Sequence, residues 1–242
     1  MKTLKTFAVA LSGLLLAFSA AAETATLTFV VTGDIYELDA SKGRGGMAKL
    51  ATVVNQQRAQ GEHVLFVHVG DTFSPSLLFG FTKGKQMVEM FNAMKLDFFV
   101  LGNHEWDFGN EILHERIWEA NSPILASNVL DEDGFPIDGT SNTAIVTVGP
   151  FRVGILGIVT PNTKVISSPG DMEFLPIVET TKKFAGELRK QGANLVVALA
   201  HLDYLGDLDV LNNAGVDVLL SGHDHYKITW DNKHSVWMEP GE

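Results

Sequence analysis

Residues 63–71 read HVLFVHVGD, a short apolar run closed by Gly70-Asp71. Such a run, bounded by a turn signal, fits a buried β-strand. The pattern repeats outward from it. Upstream, ATLTFVVT (25–32) is rich in β-formers and ends at Gly33-Asp34. Between the two, GGMAKLATVVNQQRAQ (45–60) places Met47, Leu50, Val53 and Val54 at helical spacing and stops at Gly61. Downstream, residues 84–95 carry Met87, Val88, Phe91 and Met94 on one helical face. DFFVLG (97–102) is a strand running into Asn103, residues 109–120 read as a helix, and PILASNV (123–129) as a strand. Alternating strands and helices predict a largely parallel sheet with helices packed on it.

The middle changes character. NTAIVTVGPFRVGILGIV (142–159) is two strands about a Gly-Pro turn, a hairpin rather than a crossover. Alternation resumes with a helix over 178–192, a strand over 193–200, a short helix around 206–213 and a strand over 216–222. KITW (227–230) and SVWME (235–239) suggest a last hairpin about Asp231-Asn232. No repeat, low-complexity linker or domain boundary interrupts 23–242.

Residues 1–22 stand apart. Lys2 and Lys5 precede a nearly all-apolar run from Phe7 to Phe18, and Ala20-Ala21-Ala22 offers a small-residue cleavage site. This is the grammar of a secretory signal peptide, and the run is shorter than the ~20 residues a membrane span needs. A secreted, periplasmic location is expected, with no membrane anchor after cleavage, since a chain without cysteine offers no site for lipid on that residue. The net charge is −11, and loss of the two leader lysines makes it more negative. Such a surface argues against a nucleic-acid polymer or an anionic membrane as partner. It also means that any phosphate ester must be met by local positive charge, which bound cations would supply. Without cysteine there is no disulfide framework and no thiolate ligand.

The chemistry-bearing residues sit at strand ends. Asp34, Asp71 and Asn103 follow the first three strands, and His201 and His223, with His225, follow later ones. In open α/β sheets, sites form at the carboxyl ends of strands. A single acidic residue there is commonly a helix cap, but five strands in turn delivering Asp, Asp, Asn, His and His-x-His are not explained by caps. Carboxylate, amide oxygen and imidazole without sulfur suit two divalent ions drawn from Mn, Zn, Co, Fe or Mg. A bridging carboxylate holds such a pair ~3.5–4 Å apart, where a shared water ionises near neutral pH. His104, followed three residues later by Asp107, forms a plausible imidazole–carboxylate pair for acid–base work.

These segments resemble the calcineurin-like metallophosphoesterases, and within them the catalytic domain of secreted 5′-nucleotidases and 2′,3′-cyclic phosphodiesterases. GNHEWDFG (102–109) is close to the family's GNHEFDFG, and SGHDHY (221–226) to its Gly-His-x-His motif. The flanking GGMAKLA and KGKQMVEMFNAMKLDFFVLGNHE are similar as well, so the likeness spans about 25–242. It implies a four-layer α/β/β/α architecture. It implies that Asp34, Asp71 and His225 bind a first metal and that Asn103, His201 and His223 complete a second, with Asp71 bridging. It implies that His104 is the catalytic histidine, oriented by Asp107. The substrate is then a small phosphorylated compound, a nucleotide first among them. Alternatives are a catalytically weak metal- or phosphate-binding remnant and a thiosulfate-ester hydrolase on the same scaffold.

Two departures matter. The family's histidine two residues after the first aspartate is Tyr36 here. A phenol of pKa near 10 ligates divalent ions poorly at neutral pH. Tyr36 is therefore a ferric phenolate ligand, a non-ligand beside a site that keeps more water, or a wall. Relatives also continue with further strands and a nucleotide-binding domain, so SVWME is expected to leave an incomplete sheet edge open to self-association. Other residues take plainer readings: His68 packed within the fold, His63 exposed, His114 on a wet helix face, Trp106 in the core, and Arg44 a solvated loop residue rather than a phosphate contact.

Overall fold

The computed structural model describes residues 23–40, 45–231 and 234–240, with side chains described up to Thr229. The leader read over 1–22, Arg44 and the side chain of His234 lie outside these.

Strand β1 (Leu27–Thr32) leads to helix α1 (Met47–Gln60) and β2 (His63–Val69). Helices α2 (Leu77–Thr82) and α3 (Lys85–Met94) precede β3 (Phe98–Val100), a one-turn 3₁₀ helix (Asn103–Trp106) and α4 (Gly109–Glu119). Short strands β4 (Ile124–Leu125), β5 (Val129–Leu130) and β6 (Thr140–Ser141) follow. The hairpin β7 (Thr143–Val148) and β8 (Phe151–Val159) comes next, then α5 (Thr163–Ile166) and β9 (Glu173–Phe174). The chain continues through α6 (Ile177–Lys190), β10 (Leu195–Leu202), α7 (Tyr204–Asn213) and β11 (Val218–His223). A ribbon of β12 (Tyr226–Asp231) and β13 (His234–Pro240) follows.

The first sheet has the order β1-β2-β3-β4-β6 and is parallel throughout. The second has the order β11-β10-β8-β7, parallel except where β7 turns back on β8. Side chains alternate between two cores with the period of the pleat. In the first sheet Phe66, Phe99, Leu101 and Ile124 face α1, α3 and α4, where they meet Val54, Met87, Phe91 and Leu113. Their neighbours Val67, Val69, Phe98, Val100 and Leu125 face the second sheet and pack on Val153, Ile155, Val197 and Leu199. On its far side the second sheet offers Leu156, Ile158, Val196 and Ala198 to Phe184, Ala185 and Leu188 of α6 and Val210 of α7. The layers are therefore α/β/β/α. Each fully buried Phe, Leu or Val contributes ~1.5–3 kcal/mol relative to an exposed one, and three stacked interfaces supply many of them.

The short elements β6, α5 and β9 have no counterpart in the sequence reading, and two further differences have a physical reason. The strand expected over 123–129 is two strands: Ile124–Leu125 joins the first sheet, while Val129–Leu130 pairs with Glu173–Phe174 in a separate antiparallel ribbon. Between them the Ser127 N–H bonds the Gly157 carbonyl at 2.7 Å and the Asn128 amide bonds the Val159 carbonyl at 2.8 Å, so contacts with β8 interrupt the ladder. Helix α2 has no sequence counterpart above, because LLFGFT is apolar without helical spacing; Ser76 starts it by accepting the Phe79 N–H.

The two sheets approach closely at Gly157, where a Cβ would stand 2.5 Å from Leu125 Cβ and 2.7 Å from its carbonyl oxygen. Gly157→Val is expected to destabilise the fold by ~1–3 kcal/mol through overpacking, read as a lowered denaturant midpoint. An unchanged midpoint would mean that the sheets spread freely.

Candidate active site

The pleat that builds the inter-sheet core also aims the site. His201 lies on the same face of β10 as Val197 and Leu199, two residues beyond the apolar layer and fully buried. It therefore enters the seam between the sheets at their carboxyl ends. There it meets the loops after β1, β2, β3 and β11.

Asp71 ties these loops together. Its Oδ1 accepts the His104 N–H at 2.8 Å, and its Oδ2 lies 3.0 Å from His201 Nε2. Its carbonyl accepts the Ile35 N–H at 3.0 Å, while the Gly70 carbonyl accepts that of Asp34 at 2.9 Å. Burial alone would raise the Asp71 pKa; His201 and the His104 N–H outweigh it and hold the carboxyl below the ordinary range. His201 Nδ1 donates to the Val69 carbonyl at 2.8 Å, which leaves Nε2 for Asp71 and for His223 Nδ1, 3.2 Å away. Burial opposes charge on His201, yet Asp71 and Asp34 raise its pKa to about 9. His223 is shifted down, first by burial and then by His201.

Ligand atoms of Asp71, His201 and His223 all lie within 4.8 Å of one another. Asn103, 3 % exposed and one residue before His104, has its Oδ1 buried with no hydrogen-bond partner. An orphaned buried acceptor costs ~1–3 kcal/mol, and in the residue next to His104, whose N–H bonds Asp71, it fits a cation ligand. The donor set contains only oxygen and nitrogen, as a divalent ion of the Mn–Zn series takes.

A second cluster adjoins through Asp71. Asp34 accepts the His223 N–H at 3.1 Å, and its Oδ1 is 3.3 Å from His225 Nε2. The Tyr36 hydroxyl faces this cluster, 3.0 Å from His225 Nε2 and 3.4 Å from both Asp34 Oδ1 and Asp71 Oδ2. Burial, then Asp71 and Asp34, push the phenol pKa well up, so without a cation it stays a neutral hydroxyl. Its ring also stands edge-on to His104 at 5.9 Å.

Asp34, Asp71, His223 and His225 all have positive φ, 55°, 61°, 87° and 56°. Left-handed non-glycine residues cost ~1–3 kcal/mol each and gather at functional sites. Gly70, at φ 93°, passes so close that a Cβ would lie 2.5 Å from His201 Nδ1. The glycine before Asp71 thus lets the loop lie against the buried imidazole.

The His104–Asp107 pair forms as the spacing suggests, with His104 Nδ1 2.5 Å from Asp107 Oδ2. The Asp107 bond raises the His104 pKa against its burial. For Asp107, burial is outweighed by bonds from His104, Ser167 and Ser74, and its pKa is lowered. Sequence reasoning missed both serines, and it missed Glu105. Fully buried, Glu105 accepts the backbone N–H groups of Asp71, Thr72, Phe73 and Gly102 at 2.8, 2.7, 3.2 and 2.6 Å. Burial and the Asp71 charge push its pKa up to about 7. An acid buried inside GNHEWDFG was the available signal.

The other polar residues take structural places. His68 is buried between Phe91 and Phe99, with ring centroids at 4.7 and 5.1 Å, and burial lowers its pKa to about 3. Trp106 is buried and donates to Met172 Sδ at 3.2 Å. His63, expected exposed, is half-buried because it opens a strand paired with β1, and His114 is half-buried on α4.

This arrangement defines a class, and comparison with known proteins agrees. The calcineurin-like phosphoesterase profile matches residues 27–227, and the chain belongs to that family, whose members use divalent metals. A snake venom 5′-nucleotidase of Gloydius brevicauda is 33 % identical over 224 residues, covering 86 % of this chain and 38 % of the relative. The NAD nucleotidase of Haemophilus influenzae superposes with TM-score 0.75 and 27 % identity, covering 83 % of this chain and 38 % of that one. The sulfate thiohydrolase of Thermus thermophilus superposes with TM-score 0.70 and 28 % identity, covering 75 % and 34 %. The chain spans well under half the length of these relatives. Among the described residues, no helix is long and apolar enough to cross a membrane.

Glu105→Gln keeps the shape but turns an NH₂ group toward backbone donors. It is expected to cost ~2–4 kcal/mol, since hydrogen bonds to a charged acceptor are worth ~1.5–3 kcal/mol each. The melting temperature should fall while far-UV circular dichroism stays native; an unchanged melt would remove Glu105 as the loop's anchor.

Proposed function

We propose that this chain is the catalytic unit of an exported, two-metal phosphoesterase acting on 5′-nucleotides or related phosphomonoesters and cyclic phosphodiesters. The observation that carries the reading is the convergence of Asp71, His201 and His223, with the His104 N–H bonded to the same Asp71 and the preceding residue, Asn103, holding a buried Oδ1 without a partner. Asp71, Asn103, His201 and His223 would hold one ion, and Asp34, Asp71 and His225 the other. Two divalent cations bound there supply Lewis-acid charge for the phosphoryl oxygens and an acidified water.

The chain's own residues do the rest. His104 keeps Nδ1–H on Asp107 and presents Nε2 to the substrate. Water bonds to phosphorus, the ester P–O bond breaks, and its electron pair stays on the leaving oxygen. The Nε2 proton of His104 joins that oxygen, and solvent, which takes the proton lost by the water, reprotonates the ring. The raised His104 pKa favours the form that can donate. Tyr36 brings a hydroxyl rather than an imidazole nitrogen to the first cluster, so an ion there would have fewer strong protein ligands than its neighbour.

His104→Ala is expected to lower turnover of AMP by ~10²–10⁴-fold with bound Mn²⁺ unchanged by elemental analysis. Asn103→Ala is expected to lower metal content instead. The opposite assignment would exchange their roles. Activity on a thiosulfate ester but on no phosphate ester would move the substrate class, and no turnover on either with both metals bound would leave a binding remnant.

Tyr36→His is expected to tighten the more weakly held ion. Metal titration should then show two sites closer in affinity than in the unsubstituted protein, and unchanged titration would make Tyr36 a wall.

A further inference from the structure

Asp107 is held by more than His104. Its Oδ2 also accepts the hydroxyl of Ser74, and its Oδ1 accepts that of Ser167 at 2.6 Å. Ser74 is 5 % exposed and its Oγ lies 3.2 Å from His104 Nδ1. The two serines come from opposite halves of the chain. Ser74 follows β2 in the first sheet, and Ser167 lies beyond β8 of the second.

The segment that delivers Ser167 is fastened on both sides. Asn110 Nδ2 donates to the Pro169 carbonyl at 3.1 Å, and Trp106 Nε1 to Met172 Sδ at 3.2 Å. Lys164 Nζ closes the segment on itself by donating to the carbonyls of Gly170 and Met172, both at 2.8 Å. The Ser167 hydroxyl is therefore set by the same 103–110 stretch that it helps to position.

We propose that Ser74 and Ser167 are positioning residues for the proposed phosphoesterase: by occupying both oxygens of Asp107 they fix the carboxylate in the plane that holds His104 Nδ1–H, and so aim Nε2 at the leaving oxygen. This rests on the function proposed above. Without the serines the carboxylate rotates, and the imidazole follows it. Proton delivery then suffers while substrate binding does not. An ester whose leaving oxygen needs no proton feels little of this.

The test compares AMP or phenyl phosphate, poor leaving groups, with 4-nitrophenyl phosphate, a good one. Ser167→Ala and Ser74→Ala are each expected to lower kcat ~10–100-fold on the poor leaving groups, the usual effect of losing a partner that orients a site residue. The loss on 4-nitrophenyl phosphate should be smaller and KM unchanged, and Ser167→Thr should restore the rate. Equal losses on both classes of ester would overturn the proposal in favour of simple packing. A second readout needs no turnover. With Zn²⁺ added, the His104 Nδ1 proton should give a downfield ¹H resonance, absent in His104→Ala and broadened in both serine variants. A resonance untouched by either serine change would overturn the proposal. Absence of all phosphoester hydrolysis by the unsubstituted protein would sink the functional reading, while the resonance would still decide the positioning role.

Discussion

Asp71 holds the carboxyl ends of the two sheets in register. Its side chain accepts from the His104 backbone and faces His201 Nε2, while its main chain is held by Glu105 and pairs with the loop after β1. One residue thus registers three loops of the first sheet against strand β10 of the second. The inter-sheet core fixes how far apart the sheets stand; Asp71 fixes how their ends meet.

This arrangement is electrostatically costly. Asp34 and Asp71 share one cluster, Glu105 is buried immediately behind it, and Asp34 and Glu105 are both shifted upward first by burial. Four left-handed residues add backbone strain. Stability elsewhere, in three stacked apolar interfaces, has to offset it. A pair of cations would reverse the sign of the local problem, turning crowded carboxylates and an orphaned amide oxygen into ligands. The strain and the ligand set are then two aspects of one preorganised site.

Tyr36 shows how a departure from the family pattern is absorbed. The phenol reaches the cluster that the family's histidine would serve, yet arrives as a neutral hydroxyl among two carboxylates and His225. Burial first, and then its carboxylate neighbours, raise its pKa rather than lower it. The change thus keeps an aromatic ring and a hydrogen bond and gives up a nitrogen lone pair. The His104–Asp107 pair, one ring away, is unaffected in its geometry.

Features that obey a local rule were legible in the amino-acid order. Strand and helix periods separated the elements, and strand-terminal Asp34, Asp71, Asn103, His201 and His223 marked one end of the sheets, because side-chain alternation and turn signals are written over a few residues. The three-residue spacing of His104 and Asp107 was likewise enough to pair them, since one 3₁₀ turn closes that distance. The rest came from contacts between residues far apart in the chain. The split of 123–129 into two sheets depends on Ser127 and Asn128 meeting β8, about thirty residues later. The roles of Glu105, Ser74 and Ser167 depend on contacts across 30–60 residues of chain. A buried carboxylate and two hydroxyls carry no period; their meaning comes from which backbone groups and which imidazole the folded layers bring within hydrogen-bond reach.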